Sequence, residues 1–266
     1  MKRLISSAYK VIEEANQEKD NNGSLNKKTV TVFLLLPFCL SMIYYWGHYD
    51  FARTNLLNMG ANNFVQWMDK LVYKNPSSNL GELTYWICSL IVFYFVVPAI
   101  TIKFFFKEKL SDYGLRLKEA FKGYYLYLLM LLVMIPLVLF FSGTESFQAR
   151  YPFLKMHNGD SLSADFWKWE LLYCSQFFAL EFFFRGFVVF GLKPKLGFYS
   201  VFVMTIPYCM IHFGKPMPET IAAIIAGIVL GWLSLKNRSV WLGFLIHCSV
   251  GLSMDLASLW QKGFFG

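Results

Sequence analysis

Long apolar runs recur along this chain and leave few folds open to it. We predict membrane-spanning helices at about 29–46, 83–105, 120–142, 167–191, 196–213, 217–235 and 240–260. A helix needs about 20 predominantly apolar residues to cross about 30 Å of hydrocarbon, and most of these runs are near that length. The sequence therefore predicts an all-α, polytopic transmembrane helical bundle with seven or eight membrane helices.

The overall composition agrees with a membrane protein. Hydrophobic residues make up 56% of the chain and charged residues 16%, whereas soluble domains average about 25% charged residues. All five cysteines fall inside apolar runs and none forms a C-x-x-C pair, so we expect free thiols. The first 28 residues are charged and lack an apolar signal-peptide core, so we expect an uncleaved first span.

The net charge of +8 reflects topology rather than nucleic-acid binding. With the N-terminus in the cytoplasm, sixteen of the 25 Lys and Arg residues lie inside and eight outside. This bias follows the positive-inside rule. We therefore predict a cytoplasmic N-terminus and a multi-pass protein of a bacterial-type plasma membrane. We expect it to contact the lipid bilayer and not to bind nucleic acid.

We predict a charged tail at 1–28 followed by a single membrane domain at 29–266. Between the first two spans, the external segment 50–79 carries apolar residues at helical spacing, which predicts an interfacial or an eighth, re-entrant helix. The basic stretch 107–118 predicts a cytoplasmic surface helix interrupted by a glycine.

The last four predicted spans are joined by very short connections, so neighbours must be antiparallel and adjacent. We predict that they form a compact four-helix unit. Within it, Ala223, Gly227 and Gly231 recur every four residues, and such a small-residue stripe lets another helix approach closely.

Ionisable residues inside these spans are the candidates for function, because each costs roughly 2.5–3.5 kcal/mol at mid-bilayer. Glu181 and Arg185 are four residues apart, on one helix face, and can pair with each other. Glu170 lies near the external end and is predicted to be interfacial. Asp255 either faces the same pocket or lies at the external rim.

Two histidines add to this set. His212 ends the fifth span, and His247 lies seven residues inside the last one. Straight helices would place His247 roughly 14 Å deeper than His212. The two imidazoles therefore meet only if Pro207 bends or shortens the fifth helix.

One carboxylate, one arginine and two histidines on neighbouring helices are suited to hydrolysis by activated water. No serine, threonine or cysteine is paired with a base in the sequence, so a covalent nucleophile is not favoured. No cofactor is expected. The zinc signature H-E-x-x-H is absent, although Glu181, His212 and His247 could form a three-ligand zinc set.

At these residues the sequence resembles the CPBP family of CAAX prenyl proteases and bacteriocin-processing enzymes, also called Abi proteins. The family carries E-E-x-x-x-R, F-x-x-x-H and H-x-x-x-N (or D) on successive membrane helices. The counterparts here are Leu180-Glu181-x-x-x-Arg185, Tyr208-x-x-x-His212 and His247-x-x-x-Gly251. The resemblance extends over roughly residues 107–260.

The resemblance implies an intramembrane endopeptidase, glutamic in type and formerly described as metal-dependent, acting on a membrane-anchored or membrane-proximal protein or peptide. It implies catalytic roles for Glu181, Arg185, His212 and His247. Leu180 replaces the family's first glutamate, which acts as the base, and Gly251 replaces the asparagine. Either Glu181 serves as the base, with Asp255 substituting for the missing polar partner, or the protein is inactive.

Three functions follow as alternatives. The first is the intramembrane endopeptidase. The second is an inactive membrane scaffold or bacteriocin-immunity-type protein that retains the fold. The third is a small transporter or channel, which the sparse polar residues outside 167–260 argue against.

Overall fold

The structure is a computed structural model that describes residues 2–17, 26–75, 78–118, 120–156, 162 and 164–265. The main helices are α1 (Lys2–Gln17), α2 (Lys27–Trp46), α3 (Tyr49–Asn58), α4 (Asn62–Val72), α5 (Leu80–Phe106), α6 (Tyr124–Ser142), α7 (Ala164–Leu196), α8 (Tyr199–Met210), α9 (Met217–Asn237) and α10 (Trp241–Gln261). Two short helical turns lie at Leu110–Tyr113 and Glu145–Gln148. The predicted all-α helical bundle is confirmed.

Six helices of the described part of the chain are long and apolar enough to span a membrane, namely α2, α5, α6, α7, α9 and α10. The number differs from the predicted seven or eight because the predicted span at 196–213 is much shorter. It contains only the 12 residues of α8, a length of about 18 Å. Gly197, with φ of 56°, ends α7 and leads into the start of this short helix.

Helix α7 is the central helix of the bundle. Of the residues in its most apolar window, 89% are buried inside the protein, against 22–50% for the other five spanning helices. Its middle, Phe182–Val188, is a π-helical segment in which all seven residues are buried. Single π-helical segments inside α-helices occur frequently at functional sites. The segment begins directly after Glu181.

Helices α8 and α9 pack closely through the predicted stripe of small residues. A Cβ atom added to Gly227 would lie 2.8 Å from Thr205 Cγ2, and one added to Gly231 would lie 2.7 Å from Val201 Cγ1. Neither position has room for a larger side chain. The predicted role of the stripe in close helix packing is therefore confirmed.

The segment between the first two spanning helices forms two helices, α3 and α4, rather than one. Arg53 Nε donates to Asp69 Oδ1 at 2.9 Å, and the Tyr49 hydroxyl donates to the same oxygen at 2.8 Å. The hydrogen bond from Arg53 lowers the pKa of Asp69 below its ordinary value. On α4, Phe64 and Trp67 are about half exposed, at 50% and 54%, as expected for an interfacial helix.

The stretch 107–118 differs from its prediction. It contains one turn of 3₁₀-helix at Leu110–Tyr113 rather than a surface helix. Gly114 follows with φ of 87°, and its carbonyl oxygen accepts a hydrogen bond from Val240 N at 3.0 Å. This hydrogen bond holds Gly114 against the residue that precedes α10.

The charged N-terminal tail includes helix α1, which packs against α9. Val11 and Ala15 are buried, and Asn16 Oδ1 accepts a hydrogen bond from Phe198 N at 3.1 Å. Part of the predicted tail is thus an ordered element of the bundle. The predicted boundary between tail and membrane domain stays a prediction.

The close packing of α8 and α9 predicts that Gly231→Val destabilises the protein by about 1–3 kcal/mol, because the added atoms overlap Val201 and Met204. Gly143→Val is the matched control, since a Cβ there meets only Gln261 Nε2 at 3.8 Å. The midpoint of thermal unfolding in detergent measures both variants. Equal midpoints would contradict the close contact at Gly231.

Candidate active site

Glu181 and Arg185 form a fully buried ion pair in the middle of α7. Arg185 Nη1 lies 3.0 Å from Glu181 Oε1, and the two side chains are 0% and 1% exposed. The four phenylalanines around them in the π-helical segment, Phe182, Phe183, Phe184 and Phe187, are completely buried. An isolated charge at this position would be very costly, so each side chain depends on the other.

The carboxylate of Glu181 also contacts α10. His247 Nδ1 lies 3.0 Å from Glu181 Oε1, and it lies 3.1 Å from the carbonyl oxygen of Gly243. A Cβ atom at position 243 would overlap Glu181 Oε2. The glycine therefore creates the space into which the carboxylate fits, one helical turn before His247.

Tyr208 of α8 completes the cluster. Its hydroxyl lies 3.0 Å from His247 Nε2, and the Arg185 guanidinium carbon lies 3.8 Å from the centre of its ring. Its backbone carbonyl oxygen is 2.8 Å from His212 Nδ1, and the Tyr208 and His212 rings are 5.0 Å apart. Tyr208 thus connects the two histidines, one in the turn after α8 and the other in α10.

The partners of the histidines fix their tautomers. Both Nδ1 atoms face carbonyl oxygens, which only accept hydrogen bonds, so each Nδ1 carries a proton. In the neutral ring, Nε2 is then the unprotonated nitrogen. The Nε2 of His247 faces the Tyr208 hydroxyl. The Nε2 of His212 makes no hydrogen bond to any residue that the structure describes.

The two departures from the family motifs are both apolar in the structure. Leu180 is buried, at 7% exposure. A Cβ atom at Gly251 would lie 2.8 Å from Phe177 Cε2, and the Phe177 ring stacks on the imidazole of His247 at 5.5 Å. The place of the family's asparagine side chain is therefore filled by an aromatic ring.

Asp255 belongs to a different cluster. It accepts a hydrogen bond from Trp169 Nε1 at 2.9 Å, and its carboxyl group lies close to that of Glu170. Along α10 it lies about 12 Å from His247. Glu170 is only 6% exposed, so its side chain is buried within the protein, and its predicted interfacial depth stays a prediction.

The structure thus brings Glu181, Arg185 and His247 together, and connects His212 to them through Tyr208. The short α8 resolves the predicted difference in depth between the two histidines. Sequence reasoning quoted Tyr208 in a motif without giving it a role and missed Gly243, although each lies four residues before one of the histidines. That spacing of one helical turn was the available signal.

The possible zinc set of Glu181, His212 and His247 stays a prediction. In the described ranges no group of three His, Cys, Asp or Glu side chains is placed to hold one metal ion.

Comparison with known proteins supports the resemblance. Residues 162–252 match the family model for type II CAAX prenyl endopeptidase, Rce1-like. The match includes Glu181, Arg185, His212 and His247, so the resemblance to CPBP intramembrane proteases is confirmed over this part of the chain. No curated protein and no solved structure matches the chain. With its six spanning helices, the protein is an integral membrane protein with an intramembrane protease-like fold.

The buried ion pair predicts strong coupling between its two partners. Glu181→Gln and Arg185→Gln should each destabilise the protein by about 3–5 kcal/mol, because each leaves a buried charge without its partner. The double variant should lose at least about 1 kcal/mol less than the sum of the two. Unfolding by SDS in mixed micelles measures all three variants.

The exposed pair of Arg53 and Asp69 provides the comparison. Their side chains are 40% and 25% exposed, so the corresponding single variants should each cost less than about 1 kcal/mol. Additive losses at Glu181 and Arg185 would show that these two side chains do not interact.

Proposed function

We propose that this protein is an intramembrane endopeptidase that cleaves a membrane-anchored or membrane-proximal polypeptide with water activated by His212. The observation that carries the proposal is the connection of both imidazoles through Tyr208, which leaves the Nε2 of His212 available. The family match over residues 162–252 supports proteolysis as the reaction class.

In this proposal His212 is the general base. The hydrogen bond of Nδ1 to the Tyr208 carbonyl oxygen orients the ring and leaves Nε2 able to take a proton from water. Leu180 cannot supply the carboxylate that the family uses here. Glu181 is 1% exposed and engaged by Arg185 and His247, so it is poorly placed to contact water.

His247 and Tyr208 would stabilise the oxyanion. In the proton-bearing form, His247 Nε2 would donate to the Tyr208 oxygen, 3.0 Å away. The Tyr208 hydroxyl proton would then be free to point at the carbonyl oxygen of the scissile bond. Hydrogen-bond donors directed at a developing negative charge typically contribute several kcal/mol to catalysis.

Glu181 and Arg185 act as positioning residues in this scheme. Arg185 balances the charge of Glu181. Its guanidinium carbon lies 3.8 Å from the centre of the Tyr208 ring and packs against that ring. Glu181 holds His247 through Nδ1. Asp255 has no assigned part in the reaction, because its contacts are with Trp169 and Glu170.

The substrate class follows from the family match and the setting in the membrane. A peptide or a prenylated protein that reaches the site from the bilayer fits both. The bias of Lys and Arg residues supports a cytoplasmic N-terminus. The bacterial-type plasma membrane is the location we propose.

A second function, an inactive membrane scaffold or immunity-type protein, is favoured by two observations. Leu180 provides no carboxylate, and the Phe177 ring occupies the space next to Gly251 where the family has an asparagine. In that case the buried polar cluster serves only to hold α7, α8 and α10 together. A peptide-cleavage assay separates the two functions.

We predict that the purified protein in nanodiscs cleaves a prenylated C-terminal peptide that carries a fluorophore and a quencher. His212→Asn should lower the rate by about 10²–10⁴-fold, because the base is lost. His48→Asn is the matched control and should leave the rate unchanged, since His48 precedes α3 and is remote from the site in the fold. Unchanged cleavage by the His212→Asn protein would contradict the proposal.

The double variant Leu180→Glu/Gly251→Asn restores both family residues. If the wild-type protein is inert and only this variant cleaves the peptide, the scaffold function is supported. If the wild-type protein already cleaves the peptide, the scaffold function is excluded.

A further inference from the structure

A pocket of about 250 Å³ lies at the end of the bundle opposite the external segment that contains α3 and α4. It is lined by Lys28, Glu108, Asp112, Tyr113, Phe190, Lys193, Pro194 and Arg238. None of these residues belongs to the site described above. The positive-inside rule places this end of the bundle at the cytoplasmic surface.

The two acidic side chains of the pocket already have cationic partners. Lys28 Nζ lies 2.7 Å from Glu108 Oε2, and the Tyr113 hydroxyl donates to the same oxygen. Burial alone would raise the pKa of Glu108, but these hydrogen bonds hold the pKa below its ordinary value. Asp112 lies 3.5 Å from Arg116. The carboxylates therefore do not cancel the remaining positive charge of the pocket.

Arg238 supplies that remaining charge. Its side chain is exposed and makes no ion pair or hydrogen bond with the residues that the structure describes. Its backbone is left-handed, with φ of 49°, a conformation that residues other than glycine seldom adopt. The hydrogen bond from Val240 N to the Gly114 oxygen and the bridge between Leu115 and Ser239 hold the chain in this conformation.

Exposed apolar side chains lie within a few residues of the pocket in the sequence. Phe104 and Phe105, at the end of α5, are 66% and 75% exposed, and Leu117 is 66% exposed. Such side chains are compatible with acyl chains and not with bulk water. Arginine is the side chain best suited to bind a phosphate group, and basic pockets between membrane helices on the cytoplasmic side bind anionic headgroups.

We propose that this pocket binds the phosphate of an anionic phospholipid, with Arg238 as its main contact. The lipid would link the ends of α2, α7 and α9, since Lys28 and Lys193 lie in α2 and α7 and Arg238 directly follows α9. The proposal does not depend on proteolytic activity.

Native mass spectrometry of the full-length protein in detergent tests this proposal with phosphatidylglycerol and phosphatidylcholine as probes. The wild-type protein should retain more phosphatidylglycerol than phosphatidylcholine. Arg238→Gln should weaken that binding about tenfold, because one charge-assisted hydrogen bond to phosphate is lost. Lys236→Gln is the matched control and should change binding less than about twofold, since Lys236 lies over the Trp232 ring and does not line the pocket.

Arg238→Gly provides a second variant, because glycine adopts the left-handed conformation without strain and should fold at least as well as the wild-type protein. Its unfolding midpoint should be retained while its lipid binding falls as in Arg238→Gln. Equal losses in the Arg238 and Lys236 variants, or equal binding of the two lipids, would overturn the proposal. Displacement of phosphatidylglycerol by inorganic phosphate alone would overturn the assignment to a lipid.

Discussion

The buried ion pair between Glu181 and Arg185 determines much of this structure. Two full charges lie inside a helix that the rest of the bundle surrounds, so every neighbouring element must accommodate them. Gly243 on α10 leaves room for the carboxylate, and Tyr208 on α8 lies against the guanidinium. The positions of three helices are therefore linked through one pair of side chains.

The site departs from the family motifs at two positions. Where the family has a glutamate and an asparagine, this chain has Leu180 and Gly251, and Phe177 fills the space beside the latter. The remaining polar groups are ordered by backbone contacts, with each histidine bound through Nδ1 to a carbonyl oxygen one turn before it. In the reaction that we propose, this arrangement favours an imidazole base over a carboxylate base.

Much of the fold could be predicted from the sequence, because apolar length and charge bias report directly on membrane helices. The spans corresponding to α2, α5, α6, α7, α9 and α10 were found within a few residues. The apolar run at 196–213 contains α8 and extends about three residues beyond it at each end, so the sequence did not reveal that this helix has only 12 residues. The 3₁₀ turn at Leu110–Tyr113 depends on a contact with α10, which local sequence does not contain.

The residues of the site were predicted from spacing, but their grouping was not. Glu181 and Arg185 pair as their four-residue spacing indicates. Asp255 lies with Glu170 and Trp169 because the rotation of α10 relative to α7 is set by packing around Gly243 and Gly251. That rotation depends on packing between helices, and so does the position of Tyr208 between the two histidines. Neither can be read from local sequence.

The most direct test of this account is the ¹⁵N NMR spectrum of the histidine side chains in nanodiscs. In the wild-type protein, His247 should show a protonated, hydrogen-bonded Nδ1, and Glu181→Gln should shift that resonance while His48 stays unchanged. A His247 resonance that does not respond to Glu181→Gln would show that the buried carboxylate does not hold the imidazole, which contradicts the account.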